Sequence, residues 1–275
     1  MTDKFDWAGQ AGDSWAAEWR RTDRSFGMLT ERLLRRSREH DFNKVLDIGC
    51  GAGEISLAIA RSRNHAKVVG VDISPRLIET ARERGINHPN ASFELADASQ
   101  WMPEEGFAPD FLVSRHGVMF FEDPVAAFAH LSSIAAPGAA LLFSCFRDLS
   151  ANSFFTEIGK LLPRQEKAGD PKAPGPFAFA DRQHVENILL QGGWHDISFE
   201  SFDFGMIAGA GSDPIEDAVG YYTTIGPAAR MMPMLADEER ESFLDDLRGL
   251  LEQHCHDGIV LLRAAAWIVS ARNGQ

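Results

Sequence analysis

Three glycines flanked by carboxylates mark the point in this chain where chemistry is most legible. In VLDIGCGAGEI, residues 45–55, Asp47, Gly49, Gly51 and Gly53 lie between an apolar run and a helical pattern. Glycine lacks a Cβ, so such a turn can bend sharply and bring backbone close to a ligand. A turn serving a pyrophosphate would follow G-x-G-x-x-G, with its last glycine at position 54. Glu54 stands there instead, and carboxylates at Asp47 and Glu54 would repel a phosphate. Acidic company suits a ligand that offers an ammonium and a sulfonium.

Further candidates end the next apolar runs. Asp72 closes KVVGV (67–71), where a carboxylate can accept hydrogen bonds from both hydroxyls of a ribose. Asp97 and Ala98 follow SFEL (92–95), at a place where a carboxylate can meet an adenine amino group. SRHG (114–117) ends the fourth run with Ser114 and His116. A single strand-ending aspartate is often only a helix cap, but four polar sites in register at successive strand ends make a binding edge. Imidazole titrates near neutrality in water, so His116, beside the glycine turn, is the candidate general base. The other reading is a ring packed under the ligand. Arg115 is placed to pair with a substrate anion, or with Glu122 or Asp123. His254-Cys255-His256 is not read as a metal site, because adjacent helical residues diverge and no second ligand cluster follows at zinc-site spacing. Cys50 is read as packing. Tyr221, Tyr222, Met231, Met232 and Met234 are candidates to line a substrate pocket.

The elements that must position these residues alternate. Apolar runs at 44–48, 67–71, 92–95, 110–114 and 139–146 are separated by helical patterns. Ser74-Pro75 and Asp123-Pro124 supply helix starts, and Pro137-Gly138 a stop. Short, unbroken apolar strands between helices predict a parallel sheet covered on both faces. The expected class is α/β, a doubly wound, mostly parallel seven-stranded Rossmann-like sheet with helical cap or lid insertions. The chain reads as one domain. Residues 1–40 form an N-terminal helical segment and 41–146 the binding core. Residues 147–180 and 212–256 are lid or cap, and 181–211 and 257–275 complete the core. Within these, 163–178 reads as loop, 181–191 as helix, and 197–204 and 264–271 as strands.

Bulk properties narrow the partners. The 275 residues carry a formal net charge of -13, with 44% hydrophobic and 24% charged side chains. That is globular composition, and the acidic balance argues against a nucleic-acid substrate. The one dense basic run, Arg32 to Arg38, is expected on a solvated helix face. No apolar stretch reaches the roughly 18 residues needed to span a bilayer. The first residues lack a signal-peptide core, and three scattered cysteines make no disulfide framework. The expectation is a cytoplasmic enzyme, monomer or homodimer, with a small-molecule substrate, no metal, and no membrane or nucleic-acid partner.

VLDIGCGAGEISLAIA, VVGVDISP, ELADASQW and DFLVSRHGVMFFEDPVAAFAHLSSIAAPGAALLFSCFR resemble the successive motifs of class I S-adenosylmethionine-dependent methyltransferases. The last is similar to a bacterial small-molecule group related to the menaquinone and ubiquinone C-methyltransferases. The resemblance extends to Trp7–Trp15, PFAFAD (176–181), GPAAR (226–230) and AAAWIVSARN (264–273). It implies S-adenosylmethionine as cofactor, with Gly49, Gly51 and Gly53 at the methionine moiety and Asp47 beside them. Asp72 and Ile73 would lie at the ribose, Asp97 and Ala98 at the adenine, Ser114 near the strand-four end, and Trp15 folded over the cofactor. His116 departs from the group's phenylalanine. The implied reaction is methyl transfer to a hydroxyl. Transfer to a quinone-type ring carbon or to nitrogen stays open, as do a nicotinamide-dependent oxidoreductase and a non-catalytic adenosylmethionine-binding protein.

Overall fold

The computed structural model describes residues 4–163 and 170–274. Part of the loop read at 163–178 thus lies outside the described residues. Four short helices come first: α1 (Lys4–Ala8), α2 (Gln10–Ala17), α3 (Trp19–Ser25) and α4 (Gly27–Ser37). The alternating core follows as β1 (Lys44–Ile48), α5 (Glu54–Ser62), β2 (Lys67–Asp72), α6 (Pro75–Arg84), β3 (Ala91–Leu95), β4 (Phe111–Arg115), α7 (Pro124–Ile134) and β5 (Ala140–Phe146). The remainder is α8 (Ser153–Leu161), α9 (Arg182–Gln191), β6 (Trp194–Ala210), α10 (Pro214–Thr224), α11 (Pro227–Met231), α12 (Asp237–Gln253), β7 (Cys255–His256) and β8 (Ile259–Asn273).

The sheet order is β3-β2-β1-β4-β5-β8-β6, with β7 paired to β8. β1 to β5 are parallel, whereas β8 runs antiparallel to both β5 and β6. The doubly wound α/β architecture is the one the alternating runs imply, and the middle strands bear out its logic. Every residue of β5 is buried, as are four of the five in β1, because helices cover both faces. The helix signals act as read. Ser74 Oγ accepts the Leu77 amide at 3.4 Å and Asp123 Oδ1 the Ala126 amide at 3.0 Å, each followed by a helix-starting proline.

Three local expectations need correction. β6 spans 194–210 rather than 197–204, because β8 pairs with it almost along its length. The stretch 212–256 is helical except at its end, where Cys255 and His256 form β7. The basic run is not a solvated face throughout. Arg32 Nε bonds Glu200 at 2.7 Å and Arg36 Nη1 bonds it at 3.3 Å, which fastens α4 to β6.

Strand polarity places the ends of β1, β2, β3 and β4 on one edge. The helices α1 to α3 lie over that edge from one side. The segment from α8, with α10 and α11, also lines it, so the edge becomes a partly covered cavity rather than an open rim.

Candidate active site

The chamber is a cavity of about 500 Å³, within the range that holds a cofactor-sized molecule. It has two ends. At the first, the turn after β1 supplies Gly49 and Gly51, the end of β2 supplies Asp72 and Ile73, and the loop after β3 supplies Asp97, Ala98 and Ser99. Trp15 and Trp7 lie over this end with ring centroids 5.4 Å apart, edge to face, and Phe120 packs against Trp7 at 5.1 Å.

The glycine turn fits only because two loops touch backbone to backbone. Gly49 has φ +63, and a Cβ on it would lie 2.8 Å from the Cα of Gly117. A Cβ on Gly117 would lie 2.6 Å from the Ile48 carbonyl oxygen. The end of β4 is thereby pressed against the turn after β1, and His116 is held next to it.

Each carboxylate is anchored by the loop it serves. Asp47 Oδ2 accepts both the amide of Ser56, at 3.0 Å, and its hydroxyl, at 2.6 Å. Burial nevertheless pushes the Asp47 carboxyl up to about 6, against the pull of those donors. Asp72 Oδ2 accepts the Gly51 amide at 2.9 Å, and Oδ1 accepts the Ser74 amide at 2.9 Å. Asp72 thus ties the glycine turn to the start of α6. Burial raises its carboxyl too, with the Ser74, Gly51 and Ile73 amides opposing. Asp97 Oδ1 accepts the Ser99 amide at 3.0 Å and its hydroxyl at 2.6 Å.

Two of the residues implied by the resemblance do not line the cavity. Ser114 is fully buried, its hydroxyl donating to the Ile48 carbonyl at 2.7 Å and accepting the Gly117 amide at 3.1 Å. It braces the β1–β4 junction from beneath. Gly53 is the residue before α5 at φ +84, and a Cβ there would sit 2.9 Å from the Phe93 ring. Its glycine identity answers to packing.

His116 lines the cavity in a left-handed conformation, φ +67. Its ring stacks on Phe146 at 4.0 Å and meets Phe26 edge-on at 5.5 Å. Nδ1 lies 3.4 Å from Ser144 Oγ, while the buried Nε2 has no hydrogen-bond partner among the described residues. Burial, reinforced by the charge of Arg115, pushes the imidazole down to about 3. The near-neutral titration expected of a free histidine is therefore corrected: this ring is neutral throughout the working range.

Arg115 pairs with neither Glu122 nor Asp123. It donates to Thr30 Oγ1 at 2.8 Å and to Asp23 Oδ1 at 3.1 Å. Asp23 also meets Arg84 at 2.9 Å, and Arg84 reaches Glu54 at 2.8 Å. Burial and the neighbouring Asp23 raise the Glu54 carboxyl. Arg115 is the only Lys or Arg lining the cavity among the described residues.

The second end was largely hidden from the sequence. Phe146, Phe154, Phe155, Met206, Ile225 and Tyr222 line it. Tyr221 and Tyr222 were singled out, but Met231, Met232 and Met234 do not reach the cavity, and Met234 is 69% exposed. Cys50 lines the first end, where burial and the Asp72 and Asp47 charges push its thiol well up, so it is no thiolate. Among the described residues no group of His, Cys, Asp and Glu could hold a metal, and His254 instead pairs with Glu157 at 2.7 Å. No helix of the described residues is long and apolar enough to cross a membrane.

Comparison with known proteins agrees with this geometry. Residues 39–173 match the family model described as a methyltransferase domain. A trans-aconitate 2-methyltransferase of Variovorax paradoxus is 33% identical over 61% of this chain and 60% of its own length. A malonyl-[acyl-carrier protein] O-methyltransferase of Ilyobacter polytropus is 32% identical over 37% of each chain. The match thus spans less than two thirds of the length of these curated relatives. Among solved structures, a phosphoethanolamine N-methyltransferase of Haemonchus contortus in complex with S-adenosyl-L-methionine superposes with a TM-score of 0.55. It covers 95% of this chain and 57% of that one at 16% identity, a likeness of fold. The motifs, the strand order and the family match converge on a methyltransferase domain at residues 39–173.

Proposed function

We propose that this protein binds S-adenosylmethionine at the glycine-turn end of the cavity and transfers its methyl group to a hydroxyl of a small organic molecule. The carrying observation is the composition of that end. Asp47 is buried with its carboxyl raised to about 6 and, among the described residues lining the cavity, has no cation to compensate it beyond the Arg115 already engaged elsewhere. A cationic nucleoside relieves that burden, whereas a pyrophosphate would add to it. The residues present therefore fit the cofactor.

Asp72 is the acceptor for the ribose hydroxyls, and its bonds to Gly51 and Ser74 preset the direction of its oxygens. Asp97, with Ala98 and Ser99, receives the adenine end. The Gly49–Gly51 backbone and Asp47 receive the methionine end, and Trp15 closes over it. Bound there, the cofactor supplies an electrophilic methyl carbon on a sulfonium, and its departure leaves a neutral thioether. The protein's part is alignment and exclusion of water. In the tautomer whose proton lies on Nδ1, beside Ser144 Oγ, the buried and unpartnered Nε2 of His116 has a lone pair free to accept the hydrogen bond of the acceptor hydroxyl. An imidazole held near 3 does not keep a proton, so His116 orients the hydroxyl and the proton released as the new O–C bond forms leaves through the open side of the cavity to solvent.

Incubation with methyl-labelled cofactor and a metabolite extract, followed by mass spectrometry, tests the reading. An O-methyl product supports it. Label on a ring carbon or an amine overturns the hydroxyl assignment, and cofactor binding without any labelled product makes the chain a binding protein.

A further inference from the structure

We propose that the acceptor is an uncharged, mainly apolar molecule built on a planar ring, oriented by Tyr222 as well as His116 at the aromatic end of the cavity. This rests on the cavity being a methyl-transfer site. Phe146 and Phe154 stand 5.3 Å apart at 41°, and Phe154 and Phe155 6.2 Å apart at 83°, so the end offers both ring faces and ring edges. Offset and edge-on arrangements are those in which a further aromatic ring is best accommodated.

Charge points the same way. The only lining Lys or Arg among the described residues, Arg115, is committed to Asp23 and Thr30, while Asp23, Asp47, Glu54, Glu122 and Asp123 all line the same cavity. A di- or tricarboxylate entering this chamber would meet carboxylates without a free guanidinium among the described residues to receive it. The acceptor named for the Variovorax paradoxus relative, trans-aconitate, is such a molecule.

The polar atoms then say where the ring's substituents lie. Tyr222 is 6% exposed and lines the cavity, yet its hydroxyl has no hydrogen-bond partner among the described residues. Nε2 of His116 is in the same condition. Buried polar groups in native proteins are nearly always paired, so these two unpaired atoms beside the aromatic end mark the positions of acceptor atoms. The other lining atoms without a hydrogen-bond partner among the described residues, Trp7 Nε1, Thr22 Oγ1 and the Asp23 Oδ2 that ion-pairs with Arg84, belong to the N-terminal helices. Burial raises the Tyr222 phenol, which keeps its proton and acts as a donor. A ring bearing one hydroxyl, given to His116, and a second oxygen, received from Tyr222, satisfies both.

Calorimetry on the full chain saturated with S-adenosylhomocysteine tests this with 7-hydroxycoumarin and 2-naphthol, and with trans-aconitate as the contrast, at a pH where the phenols are neutral. Both rings should bind and trans-aconitate should not. Tyr222→Phe keeps the ring volume and should weaken 7-hydroxycoumarin about three- to tenfold, the worth of one neutral hydrogen bond. It should leave S-adenosylhomocysteine affinity unchanged and the melting temperature of the unliganded protein equal or higher. Tighter binding of trans-aconitate than of either ring, or ring affinity indifferent to Tyr222→Phe, would overturn the proposal. Ring binding in a protein that fails to take S-adenosylhomocysteine would sink the methyl-transfer reading while sparing the ring class.

Discussion

Asp47 and His116 are both buried away from their ordinary ionisation, in opposite senses, and each leaves a measurable trace. The folded-state value of about 6 for Asp47 lies above that of the unfolded chain. Between roughly pH 4 and 6 the folded chain holds a proton that the unfolded chain releases, so stability falls as pH rises through that window and the loss is complete above it. At about 1.4 kcal/mol per unit, a shift of two units costs about 3 kcal/mol. Asp47→Asn removes this slope, and its melting temperature relative to wild type should be more favourable at about pH 7.5 than at about pH 4.5. A parallel pair of curves would mean that Asp47 is not held as described. For His116 the ring is neutral at every working pH. His116→Phe should therefore lower kcat only about three- to tenfold, the loss of an orienting hydrogen bond. Neither enzyme should show a near-neutral ionisation in its rate profile. A 10²–10⁴-fold loss, with a neutral-pH limb present only in wild type, would make His116 a general base instead.

At the scale of elements, the strand ends were legible because a parallel sheet places them on one edge whatever the surrounding detail. Gly49, Gly51, Asp72, Ile73, Asp97 and Ala98 line the cavity for that reason. Position at a strand end does not say which way a side chain points, and Ser114 faces inward beneath the loop. What joins distant segments left no local mark. Asp23 reaches Arg115 across 92 positions, and Phe146, Phe154 and Tyr222 meet only when α8 and α10 close over the sheet. The contact between the β1 and β4 loops is testable. Gly117→Ala would place a Cβ 2.6 Å from the Ile48 carbonyl oxygen and 2.9 Å from Gly49 Cα, both backbone atoms that cannot rotate aside. Overpacking of this kind costs about 1–3 kcal/mol. The urea midpoint should fall accordingly and cofactor affinity with it, and an unchanged midpoint would show that the two loops are not in contact.

The whole molecule carries a formal charge of -13, and the cavity repeats that sign on a smaller scale. Its one lining guanidinium among the described residues is spent on holding α3 and α4 against the end of β4, through Asp23 and Thr30. What remains is an acidic end suited to a cationic nucleoside, joined to an aromatic end, under helices that partly cover both. Titration calorimetry of wild type and Asp72→Ala with S-adenosylmethionine, S-adenosylhomocysteine and NAD tests this most directly. Both adenosyl compounds should bind wild type at one per chain and NAD should not. Asp72→Ala removes the ribose acceptor together with the bond to Gly51, so both should weaken by roughly tenfold or more, the effect of losing a charged hydrogen-bond acceptor. Binding of NAD without either adenosyl compound, or adenosyl affinity unaltered in a folded Asp72→Ala protein, would contradict the account.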